Sequence, residues 1–221
     1  MKSRPLVYAL GGESLAAPED TVTAYWAALG AGAEGLAIGV RISKDRKIIC
    51  ISHDSLLATT GKDLDVITQT AKEIAKLDAG ATFRSTVLGA DNQPTGQRGK
   101  DLPWQGDLPK KRRIVHPTLV DVLGLFARRT KITLMCPQNW TGENLDVLVT
   151  SILADLVSMG VQNRVVVAGS TQTCQLVHEA SPVTPMALYA DNNLSGEDNV
   201  FAAQAVGASS LVFDIEVACP G

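Results

Sequence analysis

Short apolar runs rich in β-branched residues alternate along the chain with longer stretches whose apolar positions recur every three to four residues. Leu6–Leu10, Leu36–Ile42, Ile48–Ser52, Ile132–Cys136, Val165–Val167, Met186–Tyr189 and Leu211–Phe213 predict strands. Helices are predicted from Pro18–Thr21 to the stop at Gly30 and Gly32, and over Ala71–Leu77, Thr118–Arg129, Leu145–Met159, Thr171–Ala180 and Asp198–Val206. The first helix opens on Glu19 and Asp20, acidic groups suited to a helix N-terminus, with Asp20 or a neighbour as its cap. Residues 80–116 break the alternation with Gly, Pro and charge, and predict a long insertion after the third strand.

Strict alternation of strand and helix predicts a parallel sheet with right-handed crossovers. The continuously apolar strands fit a sheet covered on both faces. This many units in 221 residues predict one α/β domain over 1–221, a (β/α) TIM-type barrel with its insertion at about 80–116. An open doubly wound sheet is the alternative. Neither GxGxxG nor GxxxxGK[ST] occurs, and Gly30-Ala31-Gly32 follows a helix rather than a strand, so phosphate-loop readings lose support.

Composition narrows the partners. A net charge of -3 gives no reason to expect nucleic acid or an anionic membrane, and Lys110–Arg113 reads as a solvated loop. No apolar run reaches the roughly 18 to 20 residues of a membrane-spanning helix. The N-terminus lacks a secretory pattern, and Cys50, Cys136, Cys174 and Cys219 form no CxxC pair or compact disulfide framework. The expected compartment is reducing and cytoplasmic.

In a barrel, chemistry sits where strands end. Polar groups are sparse there: His53 and Asp54 after the third strand, Asp191 after the sixth, Asp214 after the seventh, and Glu19 before the first helix. His53 is either a general acid or a structural residue held by Asp54 or a backbone carbonyl. Glu19 either faces the mouth or favours the helix start electrostatically. Asp191-Asn192-Asn193 is either a ligand contact or a turn. His116 and His178 are expected at the surface.

From Val7 to Gln138 the chain resembles the glycerophosphodiester phosphodiesterases, metal-dependent TIM barrels. Pro18-Glu19-Asp20-Thr21 is similar to their Pro-Glu-Asn-Thr, Ile51-Ser52-His53-Asp54 to Val-x-His-Asp, and Thr59-Thr60-Gly61 to Arg-Thr-Thr-Gly. Val40–Asp45, Leu77-Asp78-Ala79-Gly80 and Pro117–Leu123 resemble three further segments in the same order. The resemblance implies a catalytic histidine and a phosphate-binding arginine after the first strand, where this chain has Leu10-Gly11-Gly12. It implies two metal-binding carboxylates on the second strand, here Ala37-Ile38-Gly39, and a further ligand on the fourth, here Met135-Cys136-Pro137. An Arg is replaced by Ala58, so only His53 and Glu19 remain of the polar set.

A hard divalent cation needs several oxygen ligands, and these replacements supply none. The expectation is a pseudoenzyme-like binding or interaction domain without a metal cofactor. His53 would be a residual catalytic candidate, and Glu19, Asp54, Asp191 and Asp214 candidate contacts to a small phosphorylated or polar ligand. An enzyme of altered chemistry working through His53 is the alternative, and a subunit of a homo- or hetero-oligomer a third reading. The resemblance also implies two C-terminal segments, of which only Gly207–Asp214 has a counterpart. If that strand is the penultimate one, the barrel is short of an element and has an open edge.

Overall fold

A computed structural model describes residues 5–83, 113–213 and the backbone of 86–88 and 94–98. The chain opens with β1 (Tyr8–Leu10), α1 (Val22–Gly30), β2 (Gly35–Ile42) and β3 (Ile48–Cys50). Two single-turn helices follow, α2 (Leu57–Thr60) and α3 (Ala71–Ile74), and then a small hairpin of β4 (Thr86–Leu88) and β5 (Pro94–Arg98). The rest alternates: α4 (Leu119–Phe126), β6 (Lys131–Met135), α5 (Glu143–Ser158), β7 (Val165–Gly169), α6 (Thr171–Ala180), β8 (Met186–Tyr189), α7 (Gly196–Ala205) and β9 (Ser210–Val212).

Capping chemistry starts most of these helices. Thr21, Ser170 and Ser195 accept the N3 amide of α1, α6 and α7. Thr70 and Thr118 do the same for α3 and α4, where Glu73 and Asp121 complete capping boxes. Thr21, not Asp20, is therefore the cap of α1. Asp20 instead sits in the left-handed region at φ 56, a conformation Asp tolerates through its short polar side chain.

The sheet runs β1-β2-β6-β7-β8-β9, with every pair along that path parallel, and curls into a half-barrel. Leu36, Ile38, Ile132, Leu134, Val165 and Val167 pack with Leu119, Val122 and Phe126 of α4 and with Leu148 and Ile152 of α5 in one core.

One element departs from the expected parallel order. β3 pairs antiparallel with the end of β2, Val40 opposite Cys50 and Ile42 opposite Ile48. Only Ser43–Lys47 join the two strands, far fewer than the dozen or so residues a parallel crossover needs. β2 is long enough to join the parallel sheet with Gly35–Gly39 and carry the hairpin on Val40–Ile42. The hairpin turns the chain back, and the Ile51 amide meets the Gly39 carbonyl at 2.8 Å. That return delivers Ser52, His53 and Asp54 to the level at which β2 leaves the sheet. Much of the expected 80–116 insertion, and Asp214, lie outside the described residues.

Candidate functional site

The site forms where the β1–α1 segment meets the end of the β2–β3 hairpin. Gly11, at φ +67, turns the chain after β1, and its carbonyl accepts the Asp20 amide at 2.8 Å. The Asp20 side chain is wholly buried. The Ser52 backbone N–H donates to its Oδ2 at 2.7 Å and the Ser52 hydroxyl to its Oδ1 at 3.1 Å. Burial pushes the Asp20 carboxyl above the usual range, against the two Ser52 hydrogen bonds and the nearby His53 and Arg41, which act the other way.

From the other side Ser52 is held by Arg41. The Arg41 Nη2 donates to the Ser52 carbonyl at 2.6 Å, Nη1 to the Val40 carbonyl at 2.9 Å, and Nε to Asp54 Oδ1. The Arg41 guanidinium also stands 6.0 Å from the Trp140 ring centre. Asp54 is therefore engaged by Arg41 and does not hold His53.

Asp20 and Ser52 are the neighbours of Glu19 and His53. Clamping one pair brings the other together: His53 Nε2 lies 3.4 Å from Glu19 Oε1, with both side chains partly in solvent. Glu19 thus lies beside His53 at the end of the β2–β3 hairpin. A carboxylate beside an imidazole orients the ring, and this pair is the arrangement here most able to hold or move a proton.

His116, expected at the surface, is buried beneath this cluster. Its Nδ1–H donates to the Asp20 carbonyl at 3.1 Å, so neutral Nε2 accepts the Thr59 hydroxyl at 2.8 Å. Burial pushes its pKa down, consistent with the neutral ring. His178 is exposed as expected. Asp191 closes a turn: its Oδ1 accepts the Asn193 amide at 2.8 Å and its backbone amide donates to Asn199 at 2.8 Å.

Sequence reasoning singled out Glu19 and His53, which lie side by side here, gave no site role to Arg41 or Ser52, and read Asp20 as a cap candidate and His116 as a surface residue. The signal for Arg41 was weak, a lone cation in an apolar strand. Glycine shapes the remaining floor. A Cβ on Gly39 would lie 2.4 Å from Ser52 Cα and 2.8 Å from Ser52 N. Leu10, Ala37 and Met135 end or line the adjacent strands. Among the described residues, no three His, Cys, Asp or Glu side chains form a group able to hold a metal ion.

Residues 11–218 match the glycerophosphoryl diester phosphodiesterase family. The chain belongs to that family. A glycerophosphodiester phosphodiesterase from Caldanaerobacter subterraneus is 35% identical over 86 residues, which are 39% of this chain and 35% of that relative. The aligned segment thus spans about a third of the relative's length. A phosphodiesterase from Oleispira antarctica, solved in complex with the product sn-glycerol-3-phosphate, superposes with a TM-score of 0.72 at 17% identity, over 95% of this chain and 74% of that one. The glycerophosphodiester phosphodiesterase of Agrobacterium tumefaciens superposes at 0.64 and 18% identity, over 97% and 90% of the two chains. These likenesses establish the fold of the glycerophosphoryl diester phosphodiesterases for this chain.

Proposed function

We propose that this chain is a glycerophosphoryl diester phosphodiesterase-family domain that binds a small polar or phosphorylated ligand at its mouth without metal-dependent phosphodiester hydrolysis. The observation that carries this reading is Gly39. The family resemblance puts metal-binding carboxylates at positions 37 and 39. Ala37 offers no oxygen, and any side chain at 39 would run into the Ser52 backbone, which Asp20 and Arg41 fix in place. A divalent cation of this hard class takes about six to eight oxygen ligands when it is Ca²⁺. Among the described residues Glu19 and His53 do not make such a set, so these residues do not fit the family's metal.

The Oleispira antarctica protein's product, sn-glycerol-3-phosphate, indicates the ligand chemistry: a phosphomonoester carrying hydroxyls. Such an anion would meet the His53 imidazole with its hydroxyls toward Glu19. Placement of the pair at the mouth also favours a second reading, metal-independent chemistry with His53 as acid or base. One imidazole supplies about two to four powers of ten, far less than phosphodiester hydrolysis requires.

The two readings separate in one assay. Purified protein is incubated with glycerophosphodiesters, with Mg²⁺, Ca²⁺ or a chelator, and released glycerol 3-phosphate is measured. The expected result is no release above background in any condition, and sn-glycerol-3-phosphate binding that weakens in His53→Ala. Metal-dependent release lost in His53→Ala would overturn the proposal. Chelator-resistant release, lost in both His53→Ala and Glu19→Gln, would establish the second reading.

A further inference from the structure

The opposite pole of the sheet carries a second concentration of charge. A pocket of about 490 Å³ is lined by Glu34, Arg128, Arg129, Thr130, Lys131 and Arg164, with Ala127 at its edge. These residues sit where β2, β6 and β7 begin, so the pocket is at the far end of the strands from Glu19 and His53. At about 3.3 Å per residue, the five residues of β6 put the two sites roughly 16 Å apart along the strand.

We propose that this pocket is a binding site for a phosphate-bearing anion, separate from the mouth. Four cations converge from the α4–β6 connection, the first residue of β6 and the α5–β7 connection, in a chain whose net charge is -3. Among the described residues Arg128, Lys131 and Arg164 enter no ion pair. Arg129 is steadied over the Trp26 ring, 5.8 Å from its centre. Glu34, whose Oε2 accepts the Val7 amide at 3.2 Å, is the one carboxylate on the wall. A cation after a helix C-terminus is favoured by the helix dipole. That effect explains Arg128 and Arg129 after α4 singly, but not the gathering of Lys131 and Arg164 around the same cavity. Guanidinium groups match a phosphate's oxygens in pairs of parallel hydrogen bonds, and Thr130 borders the same space.

The phosphate can belong to a free phosphomonoester or to a lipid headgroup, and the test distinguishes them. The full chain is titrated with inorganic phosphate by calorimetry, and mixed in parallel with vesicles of phosphatidylcholine alone or with phosphatidic acid. The expected result is saturable phosphate binding, weakened about tenfold or more in the Arg128→Ala/Arg164→Ala double variant. It should be unchanged in Val183→Ala, an exposed residue that lines neither site. Glu34→Gln should strengthen it. Co-sedimentation with phosphatidic acid vesicles, competed by phosphate and lost in the double variant, assigns the phosphate to a lipid headgroup; its absence assigns it to a soluble anion. Phosphate binding lost in His53→Ala but retained in the double variant would overturn the proposal, as would no binding in either arm with circular dichroism showing a folded chain.

Discussion

Asp20 bears a fully buried carboxyl whose two hydrogen-bond donors come from one residue 32 positions away in sequence. Burial raises its pKa, so the folded chain keeps the proton to higher pH than the unfolded chain. Its contribution to folding is greatest below the ordinary carboxylate value and is lost as pH rises through the raised one. Asp20→Asn retains an oxygen for the Ser52 amide and adds an N–H for the Ser52 hydroxyl. In urea denaturation at neutral pH it should match or exceed the native chain, with a smaller loss of stability as pH rises above the ordinary carboxylate range. Asp20→Ala leaves the Ser52 amide unpaired and should cost about 1–3 kcal/mol. Equal losses in Asn and Ala would show that the charge does not matter. None of this was legible locally. The sequence offered Asp20 or a neighbour as the helix cap; the neighbour Thr21 took the role, and the Asp20 carboxyl went to Ser52.

The β2–β3 hairpin acts as an element, carrying His53 back to the sheet and packing Ser52 over Gly39. Gly39→Ala forces a methyl against backbone that cannot swing away, and should cost about 1–3 kcal/mol in thermal or chemical denaturation. Gly124→Ala in α4 is the control: its Cβ would meet nothing nearer than Met159 Cε at 3.8 Å, so it should stabilise by about 0.4–1 kcal/mol. A neutral Gly39→Ala would remove the steric argument against a carboxylate there. The antiparallel pairing of β3 was available in the sequence, in a connection too short for a crossover. Its apolar run resembled those of the parallel strands, and composition does not record direction.

At the scale of the whole molecule, β1 and β9 are the outer strands of the described sheet, and Leu10, Phe201 and Phe213 are exposed beside those edges or on the neighbouring helix. Unpaired edges and apolar surface favour association. Sedimentation at increasing concentration should show a mass rising above the 23.4 kDa monomer, and Phe201→Lys should shift it downward. A constant monomer mass would show that this end of the half-barrel makes no self-contact. The basic pocket and the mouth occupy opposite poles of the same strands, so their variants should act independently.

The sequence by itself determined the order and type of the main elements, because apolar periodicity and Ser/Thr caps act over a few residues. It also determined the family, through short segments kept in order, and pointed to Glu19 and His53. Tertiary structure decided what those residues touch. Asp54 went to Arg41, His116 went inside, Asp20 became the anchor of Ser52, and four cations from the starts of β6 and β7 met in one pocket. Each of these depends on contacts between residues far apart in the chain. Such contacts are set by how the packed sheet and helices leave space, which no local pattern encodes.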